Sequence, residues 1–104
     1  MKKFTAHLSF VAEYKLIKIL EYIEMEFGKN SRDKFLNKFS ENIDKIESNP
    51  FSSPETEFDG IYKNVVSKQT SFYYRIKGFE IEVVTVSDNR HHPAKILKEL
   101  KNWP

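Results

Sequence analysis

The hydrophobic period of this chain changes from helical to strand-like past its middle, and that change limits the folds open to it. From Ala12 to Ile46 apolar residues recur every three or four positions; from Ile61 to Val86 they recur every second position. The first spacing belongs to amphipathic helices and the second to strands with one buried face. Ala12, Leu16, Ile19, Leu20, Ile23 and Phe27 form the first helical stripe, with Glu13, Lys15, Lys18, Glu21 and Glu24 on the opposite face. Ser9 stands where an N-cap belongs and Gly28 where a helix stops. Phe35, Leu36, Phe39, Ile43 and Ile46 form a second stripe, with Asn30 or Ser31 as its expected cap and Asn49-Pro50 as its end. The few residues between the stripes predict an antiparallel helix hairpin.

Before the helices, Phe4 to Leu8 alternates and predicts a short strand. After the loop from Phe51 to Asp59, three more strands are expected: Ile61 to Val66, Thr70 to Lys77 and Phe79 to Val86. Lys77-Gly78 is the expected hairpin turn between the last two. In the strand from Thr70, Phe72, Tyr74 and Ile76 share one face, with Tyr73, Arg75 and Lys77 on a solvated one. Residues Ala94 to Asn102 are compatible with a short C-terminal helix. The order β-α-α-β-β-β segregates helices from a mostly antiparallel sheet, which makes the class α+β. A chain of 104 residues without repeats or low-complexity stretches is expected to form one domain over 1–104.

Composition excludes several classes of function. The absence of cysteine removes disulfide scaffolds, thiolate zinc sites and cysteine nucleophiles. Three glycines are too few for a dinucleotide fingerprint, and no Walker A, H-E-x-x-H or G-x-S-x-G motif is present. His91-His92 lack the spacing of a metal pair, so neither metal nor cofactor is expected. No apolar run is long enough to cross a membrane. Lys2 and Lys3 are followed by Glu13, Lys15 and Lys18 before any signal-like apolar core, which reads as a cytoplasmic protein complete from Met1.

Charge is balanced overall, at +2, but not evenly placed. From Gly60 to Pro104 there are eight Lys/Arg against four Asp/Glu, whereas Met1 to Asp59 holds nine against eleven. An anionic partner is therefore expected at the C-terminal part. The cations there are Lys63, Lys68, Arg75, Lys77, Arg90 and Lys95, joined by His91 and His92, with Tyr62, Tyr73 and Tyr74 between them. Such a set fits a nucleic-acid backbone, or a metal-free RNA cleavage site with an acid, a base and cations for the phosphorane. It equally fits the outer face of a half-exposed sheet. Arg75 is either a cross-strand partner of Glu80 or Glu82 or a ligand contact. Arg90, in a loop after the strongest strand, is a functional candidate. His92 is an extended, exposed residue before Pro93 and a candidate acid or base. Trp103 packs over a domain edge or serves a partner.

The segment Ser9-x-x-Ala12-x-x-x-Leu16-x-x-Ile19-x-x-Tyr22-Ile23 resembles the opening helix of the RelE/ParE toxin superfamily. Ile46-x-x-Asn49-Pro50, Tyr74-Arg75-Ile76 and Asp88-Asn89-Arg90-x-x-Pro93 follow in the order that resemblance requires, over nearly the whole chain. The resemblance implies the toxin of a type II toxin–antitoxin module of the plasmid-stabilisation kind. A small antitoxin would land on grooves beside the helix hairpin and on the sheet edge. It leaves two targets open. RelE-like members cleave ribosome-bound mRNA as metal-free endoribonucleases; here Lys63, Lys68, Arg90 and His92 would be the catalytic set. ParE-like members inhibit DNA gyrase without hydrolysis. Arg75, Lys77, Tyr73, Lys95 and Trp103 are the candidates for binding a partner or nucleic acid. The RelE-like pattern R-x-x-Y places its Arg where this chain has Ser71, three residues before Tyr74. Arg75 is on the same face, about 13 Å further along at ~3.3 Å per residue. The missing cation turns the resemblance toward the ParE-like side, with the endoribonuclease and a member that only binds its antitoxin as alternatives.

Overall fold

The structure, a computed structural model, describes residues 4–88 together with Lys98, Leu100 and Lys101. Strand β1 (Thr5–Leu8) leads into helix α1 (Phe10–Phe27), helix α2 (Lys29–Ser48) and a 3-10 turn at Pro50–Ser52. Strands β2 (Ile61–Val65), β3 (Thr70–Lys77) and β4 (Glu80–Asp88) complete one sheet in the order β1-β4-β3-β2. β2, β3 and β4 are antiparallel neighbours, while β1 lies parallel to β4. The expected α+β class and element order are those of the structure. Helical residues Lys98, Leu100 and Lys101 fall in the expected C-terminal helix, most of which is outside the described residues.

Both helices pack on one face of the sheet. Ala12 of α1 and Phe39 and Ile46 of α2 meet Phe72, Tyr74, Ile81, Val83 and Val86 in the main core. Ser9 starts α1 as expected: its Oγ accepts from the Ala12 N–H at 3.0 Å. Ser9 also ties the helix to the sheet. Its N–H donates to the Val83 carbonyl at 2.9 Å and its hydroxyl to the Val84 carbonyl at 2.8 Å. The two consecutive carbonyls mark an irregularity. Tyr73 faces Thr85 and Tyr74 faces Val83, so Val84 is an extra residue in β4. This bulge explains why alternation breaks at Val83-Val84 and resumes with Val86 in the core.

Three local expectations change. The helices are joined by a single residue, Gly28, at φ 95° and ψ 171°. α2 therefore begins at Lys29, and neither Asn30 nor Ser31 caps it. The Ser31 hydroxyl instead donates to the Phe27 carbonyl at the end of α1. The β3–β4 turn is Gly78-Phe79 rather than Lys77-Gly78, because Lys77 pairs with Glu80. Gly78, at φ 62°, takes the first central position, where such turns favour glycine. Finally, the sheet face away from the helices is not simply solvated. Ile61, Tyr73 and Val84 on that face form a second core with Leu100.

Candidate functional site

The outer face of the sheet is a grid fixed by strand register. One row across β1, β4 and β3 is Thr5, Glu80 and Lys77; the next is His7, Glu82 and Arg75. Arg75 continues to Ile61 on β2, Tyr73 to Lys63 and Ser71 to Val65. The sequence reading of Ser71, Tyr73, Arg75 and Lys77 as one face therefore holds, but the face divides in two.

Toward the β3–β4 turn it is open and charged. Arg75 Nε donates to Glu82 Oε1 at 2.8 Å, the cross-strand partnership that register makes available. His7 Nδ1 lies 3.7 Å from Glu80 Oε2, with both side chains more than half exposed. Arg75 is thus a strand-pairing residue, and Lys77 is the exposed cation beside it. Lys63 Nζ lies 5.9 Å from the centre of the Tyr73 ring. This distance allows a cation–π attraction.

Toward the other end the face closes. Ser71 and Thr85 have no exposed surface, and Tyr73, expected as a partner contact, is buried. Burial raises the Tyr73 hydroxyl above its ordinary pKa of 10.0. Among the described residues the Ser71 hydroxyl has no hydrogen-bond partner. Ser71, where the resemblance would place a RelE-like Arg, is therefore a buried, uncharged side chain. Lys68 is exposed in the β2–β3 turn, apart from the row holding Lys63. Arg90, His92, Lys95 and Trp103 lie outside the described residues. Glu55 accepts from the Gly60 N–H at 2.7 Å and closes the loop before β2. The described residues hold no cluster of His, Asp and Glu suited to a metal.

On the helix side, a groove of about 260 Å³ opens between α1 and the ends of β3 and β4. Ile19, Ile23, Phe27, Phe35 and Val86 give it an apolar lining. Lys15, Lys18 and Asp88 supply its charged groups. Sequence reasoning placed Ile19, Ile23 and Phe35 in helical stripes; only their packing against Val86 turns them into a groove. Both sheet edges are covered by the chain itself. Along β2, Lys63 N–H donates to the Pro54 carbonyl and Thr56 N–H to the Ile61 carbonyl. On β1 the Ala6 N–H donates to Glu47 Oε2 at 2.8 Å. These contacts occupy polar groups that an added strand would need.

No family model matches the sequence, and no curated protein sequence matches it. Solved structures do. The fold is similar to a chain of the chromosomal ParDE TA system from P. aeruginosa, with TM-score 0.72 at 16% identity. That alignment covers 83% of this chain and 96% of the other. It is similar to the YoeB/ParE toxin from Agrobacterium tumefaciens, with TM-score 0.58 at 16% identity over 88% and 100% of the two chains. It is also similar to the YoeB dimer from Staphylococcus aureus, with TM-score 0.56 at 13% identity over 86% and 98%. These alignments cover most of each chain, and this chain shares the fold of those toxins.

Proposed function

We propose that this protein is the toxin of a type II toxin–antitoxin pair, acting in the cytoplasm, and that it stops growth by binding DNA gyrase rather than by cutting RNA. The observation that carries this reading is the burial of Ser71. An endoribonuclease of this fold needs preorganised cations at the scissile phosphate, and one such donor is worth about 3 kcal/mol of barrier. Here the sheet presents Ser71, Tyr73 and Thr85 as packed interior instead. Lys63 and Lys77 belong to a binding face in this reading, not to a phosphorane clamp.

The neutralising partner is a small acidic antitoxin. The groove between α1 and β3–β4 suits an amphipathic segment of such a protein, with Lys15 and Lys18 at its rim and an apolar floor. The structural neighbours include a YoeB-YefM complex from Staphylococcus aureus and the ParDE system, which supports a protein partner for this fold.

Pulse-labelling of DNA and protein synthesis after induction in bacteria tests the target. DNA synthesis should fall first, with filamentation. If protein synthesis falls first, the protein is an endoribonuclease of the RelE type. Arg90→Ala should then abolish toxicity and leave antitoxin binding intact. If neither falls while folded protein accumulates, the toxin reading is lost.

A further inference from the structure

Helix α1 carries a second apolar stripe that its core packing does not use. Phe10, Tyr14, Ile17 and Met25 lie on the side away from the sheet, and Phe10 and Met25 are 88% and 81% exposed. At 100° per residue these four fall within about 80° of one another, opposite Ala12, Ile19 and Ile23. A surface helix of a small domain ordinarily has one such stripe, and contiguous exposed apolar surface marks an interaction site. The stripe continues onto α2. A groove of about 640 Å³ runs across the back of the hairpin, floored by Ile17, Leu20, Met25 and Leu36.

The charge around this groove selects its occupant. Glu21, Glu24 and Asp33 line it against one cation, Arg32. That guanidinium is already held by Glu24 and Asp33, and the hydrogen bond to Asp33 raises its pKa. Lys18 pairs with Glu21 at 3.5 Å and its Nζ lies 5.5 Å from the centre of the Tyr14 ring, while the groove lining itself keeps three carboxylates to one guanidinium. Glu13, in the first turn of α1, is a further exposed carboxylate on the hairpin. An anionic segment would meet this rim unfavourably. So would a second copy of the chain through a two-fold axis, because an isologous contact sets the same acidic rim against itself. The front groove has Lys15 and Lys18 against Asp88, and the outer sheet face balances Arg75 and Lys77 against Glu80 and Glu82.

We propose that the back of the helix hairpin is a docking surface for a cationic amphipathic helix, whose apolar face covers Ile17, Met25 and Leu36 and whose Lys or Arg side chains meet Glu21, Glu24 and Asp33. This surface is separate from the groove assigned above to an acidic antitoxin, and it does not depend on the toxin reading. The two sides of the hairpin have opposite charge preferences and accept different partners.

The test uses the full chain and two labelled synthetic helices as long as α1. One places Leu every three or four positions with Lys on the opposite face, and the other has the same pattern with Glu in place of Lys. Fluorescence anisotropy should show the Leu/Lys helix binding at least roughly tenfold more tightly than the Leu/Glu helix. Ile17→Ser combined with Met25→Ser removes two exposed anchors and should weaken the Leu/Lys helix by roughly tenfold. Glu21→Lys should weaken it as well, whereas Val65→Ser, on the sheet edge, should leave it unchanged. Circular dichroism and sedimentation of each variant confirm fold and state of assembly. Equal binding of the two helices overturns the proposal, as does retention by the Ile17/Met25 variant. A dimer of the unmodified chain that Ile17→Ser with Met25→Ser dissociates also overturns it, because a second copy would then be the occupant.

Discussion

Tyr74 shows how one side chain can carry both packing and a polar tie. Its ring stacks on Tyr62 with centroids 5.5 Å apart, and its hydroxyl donates to the Pro50 carbonyl at 2.6 Å. Tyr74→Phe keeps the ring and leaves that carbonyl unpaired, so urea titration at neutral pH should show a loss of about 1–2 kcal/mol. Burial raises the pKa of both Tyr73 and Tyr74 above 10.0. Unfolded tyrosines lose their protons near that pH while these two keep theirs. The unfolded state then binds fewer protons, and stability falls as pH rises from about 10 through the raised folded values. The slope in that window should be shallower for Tyr74→Phe. Ser71 makes the complementary case. Its hydroxyl is buried without a partner, so Ser71→Ala should be neutral or slightly stabilising in the same titration. Ser71→Arg, which restores the RelE-like residue, buries an uncompensated charge and should cost about 3–5 kcal/mol. That the Arg of the RelE-like pattern is missing at that site was legible in the spacing to Tyr74. The burial of Ser71 was not, because alternation along a strand does not state what the rest of the chain lays over that face.

At the scale of elements, two joints set the geometry. Gly28 connects α1 to α2 alone, in a region of backbone space open essentially to glycine. Nothing lies within 4 Å of a Cβ placed there, so Gly28→Ala meets no clash and tests backbone strain only. It should lower the thermal midpoint through a loss of about 1–3 kcal/mol. The second joint is the Val84 bulge, held by Ser9. Ser9→Ala removes the N-cap of α1 and leaves the Val84 carbonyl without its hydroxyl donor. A loss of about 2 kcal/mol is expected from the two effects, measured by chemical denaturation. The elements themselves were legible because their hydrophobic periods are long and regular. Ser9, Gly28 and Asn49-Pro50 marked helix ends by local chemistry. The start of α2 was misplaced because Ser31 bonds backward to Phe27, a choice that exists only once the two helices meet at Gly28.

Across the whole molecule, charge and apolar surface are sorted by face. The helix–sheet interface holds the main core, the front groove carries Lys15 and Lys18, and the back of the hairpin is acidic around its exposed apolar stripe. The outer sheet face is open and charged at one end and packed at the other. If that face binds the target, Lys63→Ala with Lys77→Ala should reduce growth inhibition on induction. Stability should change by no more than about 1 kcal/mol, the worth of the Lys63–Tyr73 contact, because Lys77 is a surface substitution. A matching loss of stability would instead assign the pair a structural role.

The sequence by itself determined the element order, the α+β class and the residues of the main core, because each follows from periodicity and capping within a few residues. It also carried the resemblance that the fold supports. Tertiary structure alone decided which polar positions are accessible. An alternating strand states which side chains share a face, but not what the rest of the chain lays over that face. Ser71 and Tyr73 became interior, Arg75 became a partner of Glu82, and Phe10 and Met25 stayed uncovered because nothing in the described structure packs on the back of α1.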